Sequence, residues 1–211
     1  MNTNEYFAPD GEDVIKQKVA ELKSIQGQLD EALRLYKESI ADLEAAKASL
    51  VPEVMDAFKG QTEGAEKLKV KLDDMMVEII QESEKSSTSY KDAFETALTK
   101  VNENTKKVLQ QILENSKVAS KVKGQLKIDG SKVYEGSMMD WFSSVKEWLS
   151  KAYNKINIFS NKAEEGLDEI DAMINQYDQE QGDMYAAKNM DDFESGAVYE
   201  SLSRMKKIIN F

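Results

Sequence analysis

Apolar residues recur three and four apart along most of this chain, the period of an amphipathic helix and not of a strand. The first stripe passes through Ile15, Val19, Leu22, Ile25, Leu29, Leu33, Tyr36, Ile40, Leu43 and Leu50, with Asp10 or Asp13 placed to cap its start. Pro52 lacks a backbone donor and biases Val51 away from helical geometry. A kink or short restart is therefore expected there, with Pro52 near the first helical position and Ser49 as its cap. Val54, Met55 and Phe58 continue the pattern, and Gly60 and Gly64 flank the turn expected next.

Residues 65–123 contain neither Gly nor Pro. At ~1.5 Å per residue they read as one helix of roughly 90 Å. Its seam starts with Leu68, Leu72, Met75 and Ile79 and meets a polar gap at Ser83, Ser86, Ser87, Thr88 and Ser89. It resumes at Tyr90, Phe94, Leu98, Val101, Thr105, Val108, Ile112, Asn115, Ala119 and Val122, a heptad alternation. The gap is either a weakly packed stretch of one helix or an interruption that splits it in two.

Gly124 is expected to end this helix. Leu126 and Ile128 then alternate with polar neighbours up to Asp129-Gly130, and Val133 and Tyr134 follow. Asp-Gly between such residues signals a tight hairpin turn, so a small β-hairpin is predicted over 125–135. Ser137-Met138-Met139-Asp140 reads as a capping box, with Asp in place of Glu or Gln. A helix of about 40 residues is predicted to follow, with two heptad columns in phase. One is Phe142, Leu149, Ile156, Ala163, Ile170 and Tyr177; the other is Met138, Val145, Ala152, Phe159, Gly166 and Met173.

Beyond Tyr177 the spacing loosens, and residues 178–196 read as an acidic linker. Val198, Tyr199, Leu202, Met205, Ile208, Ile209 and Phe211 then return to helical spacing, making 197–211 an amphipathic segment and the candidate partner-binding site. The predicted organisation is a flexible N-terminal tail over 1–13, a bundle over 14–177, a linker over 178–196 and that final segment. The fold class is all-α: an elongated, antiparallel, coiled-coil-like bundle of three long helices, with the β-hairpin between the second and third.

Composition narrows the chemistry. The 211 residues include no His and no Cys, and Asp plus Glu outnumber Lys plus Arg by 39 to 28, a net charge of −11. That excludes a disulfide framework, a thiol nucleophile, a His-bearing triad and the His-containing metal motifs. No phosphate loop or nucleophile–base pair is evident, so the expectation is no catalytic residues, no cofactor and no metal site. The negative charge opposes direct nucleic-acid binding, and Arg34 and Arg204 are the only guanidinium groups. The polar, acidic start is unlike a signal peptide, and no apolar run approaches a membrane span. The chain is expected to be cytoplasmic where it is synthesised.

Three clusters have a structural reading beside a functional one. Glu164, Glu165, Asp168, Glu169 and Asp171 could hold a metal, but Glu165, Asp168 and Glu169 lie off the heptad columns and read as a solvated acidic face. Lys106, Lys107, Lys117, Lys121, Lys123, Lys127 and Lys132 could meet an acidic partner, but pairing with acids on neighbouring helices is favoured. Met138, Met139, Trp141, Phe142, Val145, Trp148 and Leu149 read as core ahead of a partner patch, and a membrane surface comes third.

The stretch Tyr90-Lys91-Asp92-Ala93-Phe94, Lys100-Val101-Asn102, Thr105-Lys106-Lys107-Val108-Leu109 and Ser120-Lys121-Val122-Lys123-Gly124 resembles small helical coiled-coil proteins encoded by tailed bacteriophages. Val51-Pro52-Glu53-Val54-Met55 has a similar character, and the likeness covers about half the chain. It implies a virion, scaffold or host-interaction component and assigns no functional residue. The function expected is therefore a non-enzymatic structural or assembly protein contacting other protein subunits in a homo- or hetero-oligomer. The alternative is a small regulatory binder, such as a phage-encoded inhibitor of a host protein.

Overall fold

The structure is a computed structural model that describes residues 11–45, 52–85, 91–128 and 136–209, with side chains over 14–45, 52–83, 91–125 and 140–185. The described residues are helical throughout. Helix α1 spans Gly11–Ala45, α2 Pro52–Lys59, α3 Glu63–Lys85, α4 Lys91–Ile128 and α5 Gly136–Ile209, with one 3-10 turn, Gly60–Thr62, between α2 and α3.

The spacing that predicts α1 also fills its buried face. Every apolar position named for it from Ile15 to Leu43 is at most 8% exposed. Pro52 opens α2, where its missing donor costs nothing, and Glu53 beside it suits the helix N-terminus. Gly60 and Gly64 make no open turn: the 3-10 turn carries the chain directly into α3, and no described glycine has a positive φ.

The chain divides into two compact units, Met1–Ile170 and Asp171–Phe211. Helix directions in the first follow from residue pairs. Lys37 pairs with Glu66 and Asp30 with Lys69, so α1 and α3 are antiparallel. Lys18 pairs with Glu95, Glu21 with Lys106 and Asp42 with Lys123, so α1 and α4 are parallel. Lys107 lies 5.5 Å from the Phe159 ring centre, and Lys100 pairs with Glu165 and Glu169, so α4 and α5 are antiparallel. Gly64 abuts Asn157 and Lys71 pairs with Asp168, so α3 and α5 are parallel. The result is a four-helix arrangement in which α1 and α5 each lie beside both α3 and α4.

Three expectations need correction. The bundle has four long helices and not three, because the expected 65–123 helix is two: α3 ends at Lys85 and α4 begins at Lys91. Helices α3 and α4 run in opposite directions against α1, which one straight helix cannot do; residues 86–90 lie outside the described residues. No strand occurs among the described residues; the first part of the expected hairpin, 125–128, continues α4 through Gly124, and residues 129–135 lie outside the described residues. Two alternating apolar residues, Leu126 and Ile128, do not outweigh the cooperative propagation of an established helix.

The third correction is that α5 does not stop near Tyr177. It continues through 178–196, the expected linker, to Ile209. A scatter of acids and one glycine weaken amphipathicity there without breaking the helix. At the N-terminus α1 already includes residues 11–13 of the expected tail, and residues 1–10 lie outside the described residues.

Candidate functional site

The residues expected to bind a partner fall in the second unit. Val198, Tyr199, Leu202, Met205, Ile208 and Ile209 all lie within α5, and Phe211 is outside the described residues. Among the described residues this unit holds one helical segment and no second element. Two of its described polar side chains bond along their own helix: Asn175 Nδ2 donates to the Asp171 carbonyl at 2.9 Å, and Gln176 Nε2 to Glu180 at 3.0 Å. Met184 and Tyr185 are 61% and 66% exposed. Sequence reasoning assigned both to the linker. The signal that could have found them is Met184, seven residues after Tyr177 on the same helix face.

The acidic cluster of the first unit is engaged in helix-to-helix contacts. Asp168 accepts from Lys71, which also reaches the Glu164 carbonyl, while Glu165 and Glu169 both face Lys100. The Glu169 hydrogen bond, against some burial, pushes the Lys100 ammonium above its ordinary value. These pairs join α5 to α3 and α4, and among the described residues no group of three or more acids is arranged to hold a metal ion.

The lysine set is distributed and not a single patch. Lys106 pairs with Glu21, Lys123 with Asp42, and Lys107 stands over Phe159. Lys117 and Lys121 are exposed, and Lys127 and Lys132 have no described side chain. The hydrogen bond from Lys106 holds the Glu21 carboxyl below its usual value despite partial burial, and Asn102 adds a second donor to the same carboxylate.

Within the aromatic stretch Phe142, Val145 and Leu149 are buried, while Trp141 and Trp148 are half-buried. The Trp141 and Phe142 rings tilt at 54° with centres 5.2 Å apart. Met138 and Met139 have no described side chains. Trp148 edges a groove of about 330 Å³ between α4 and α5, lined also by Gln111, Lys151, Ala152, Asn154 and Lys155.

A buried polar chain escaped sequence reasoning as a unit. Gln111 Nε2 donates to Asn115 Oδ1 at 3.2 Å, Asn115 Nδ2 to Gln61 Oε1 at 3.2 Å, and Gln61 Nε2 to the Ala57 carbonyl at 2.9 Å. All three side chains are at most 6% exposed. Asn115 was recognisable on the seam; Gln61 and Gln111 carry no pattern that marks them as buried. The chain ties α4 to the turn between α2 and α3 and specifies their register.

Among the described residues no helix is long and apolar enough to cross a membrane. Compared with known proteins, the chain matches no family model, no curated protein and no solved structure.

Proposed function

We propose that this chain is a non-enzymatic structural or assembly protein that acts through helical protein–protein contacts, with the second unit as its contact surface. The observation that carries this reading is the exposure of Met184 and Tyr185 on a helix whose unit supplies, among the described residues, no second element to cover them. Helices in proteins gain most of their stability by packing an apolar face. Val198, Tyr199, Leu202, Met205, Ile208 and Ile209, later on the same helix, extend the apolar content that a partner would cover. The resemblance to phage-encoded helical proteins makes a virion or scaffold component the specific form, made in the cytoplasm and incorporated into a particle.

The absence of catalytic work is part of the proposal. It is supported by the engagement of Lys71, Lys100, Lys106, Asp168, Glu165 and Glu169 in ion pairs between helices, where they hold the bundle together. A second reading, a regulatory binder of a host protein, draws on the groove beside Trp148, whose two lysines and half-buried indole suit an acidic, partly apolar segment.

Deleting residues 196–211 from the full chain tests the first reading. Helicity and melting should stay nearly intact while assembly is abolished. A large loss of thermal stability instead assigns the segment to the protein's own core. Native-abundance co-purification separates the two readings: a structural component travels with a large particle, and a regulator with one protein in a discrete complex.

A further inference from the structure

We propose that α5 beyond Asp171 pairs in antiparallel fashion with the same segment of a second copy of this chain, centred near residue 193. The proposal rests on the second unit being the contact surface and names its occupant.

Given one continuous helix, residues 177, 184, 191, 198 and 205 form one heptad column, and 181, 188, 195, 202 and 209 the interleaved one. The apolar residues sit at both ends of this seam: Tyr177 and Met184 in the first half, Val198, Leu202, Met205 and Ile209 in the second. Gln181 is the first polar seam position, and Lys188, Asp191 and Ser195 form the polar middle. An antiparallel partner places one column opposite the other. Centred near 193, it sets Met184 against Leu202 and Tyr177 against Ile209, apolar on apolar, while Val198 falls level with Lys188 and Met205 with Gln181. It also sets Asp191 against Ser195, a hydrogen-bonding match at the two-fold axis. A two-fold pair uses each contact twice, so one favourable register is doubled.

Charge chooses the direction. Residues 171–183 contain Asp171, Asp178, Glu180 and Asp183 and no base, whereas 203–209 contain Arg204, Lys206 and Lys207 and no acid. In the antiparallel register the bases of 204–207 come alongside the acids of 178–183. A parallel pair would stack the bases on one another and the acids likewise, and would also align the helix dipoles unfavourably. Met184 and Tyr185, already exposed in the single chain, lie within the segment that the partner would cover.

The chain's lack of cysteine makes the test clean. Full-length Met184→Cys and Leu202→Cys variants are prepared separately, oxidised alone and after mixing, and compared with the unmodified chain by light scattering. The expected result is a dimer mass for the unmodified chain that shifts toward monomer with added salt. A disulfide-linked species should form in the mixture and in neither variant alone. A chain that stays monomeric at high concentration overturns the proposal. So does self-linkage of Met184→Cys, which reports a parallel pair. The two hypotheses fail separately. A monomeric chain that loses assembly when 196–211 is deleted has a different occupant for the same surface. A dimer whose disruption leaves assembly intact keeps the pairing and refutes the functional reading.

Discussion

The Tyr36 hydroxyl donates to the backbone carbonyl of Phe58 at 2.9 Å, joining α1 to the end of α2, and both residues are fully buried. Replacing Tyr36 with Phe keeps the ring packing and removes this bond. We expect a loss of about 1 kcal/mol in unfolding free energy, read from urea titration.

The same residue sets an alkaline limit. Burial pushes the Tyr36 phenol well above its ordinary value of 10.0, so the folded chain keeps a proton that the unfolded chain releases. Its contribution is fully present below pH ~10 and is lost above it, at up to ~1.4 kcal/mol per pH unit. The Tyr36→Phe variant should therefore lose stability less steeply than the parent between pH 10 and 11.

Two glycines should respond differently to the same substitution. A Cβ at Gly166 would lie 2.7 Å from Val101 Cγ2 and 3.3 Å from the Ala97 carbonyl, where α4 and α5 approach closely. Gly166→Ala should cost about 1–3 kcal/mol from overpacking, partly offset by helix propensity. Adding Val101→Ala should recover part of the loss, a non-additivity visible in a double-mutant cycle. At Gly64 the nearest obstacle is the terminal oxygen of Asn157, which can rotate away, so Gly64→Ala should be the milder change in thermal melting.

Buried polar groups on α4 should give opposite signs. Asn115→Leu strips partners from Gln61 and Gln111 and should destabilise by about 1–3 kcal/mol. Thr105 is fully buried, and its hydroxyl has no hydrogen-bond partner among the described residues. Thr105→Val preserves the shape and removes the unpaired group, so it should stabilise by about 1 kcal/mol. Chemical denaturation of the two variants side by side checks both signs.

The Glu21–Lys106 pair should contribute above the acid range, and only at low salt. Glu21 titrates below its ordinary 4.5, so its contribution is present above that pH and is lost as pH falls through the lower folded value. Glu21→Gln should flatten this acid limb. Because both partners are substantially exposed, the difference at neutral pH should stay below about 1 kcal/mol and vanish in about 1 M salt.

The helical seams were legible because each has a partner along its length. The α1 stripe up to Leu43 and the α4 seam from Phe94 to Val122 are buried position by position, including the polar Thr105 and Asn115. Leu50 and Tyr90, at the edges of these stripes, lie outside the described residues. A reading that assumes one partner per helix misses second stripes. Ala97, Asn104, Leu109 and Gln111 are buried off the α4 seam because α4 lies between α1 and α5. On α5, Ser160, Leu167 and Ile174 form a third buried column beside the two expected, since 3.6 residues per turn drift against a seven-residue repeat. The helix through 178–196 was illegible for another reason: a weak stripe distinguishes a solvated helix from a linker poorly. The proposed contact face takes Val198, Leu202 and Met205 from the sequence stripe alone and adds Met184 and Tyr185, whose exposure only the structure shows.

The parallel alignment of α1 with α4 shapes how the chain reaches its native state. Asn102 donates to the Lys18 carbonyl across 84 residues of sequence, and Lys123 reaches Asp42 across 81. Helical bundles usually fold fast because neighbours in sequence are neighbours in space. Here α1 and α4 are in extensive contact, so a long loop must close before that burial is gained. During synthesis α1 leaves the ribosome with its apolar stripe covered only by α2 and α3, until most of α4 has followed. Folding should accordingly be slower than the helix content suggests, with an early α1–α3 hairpin as the species that a chaperone would hold.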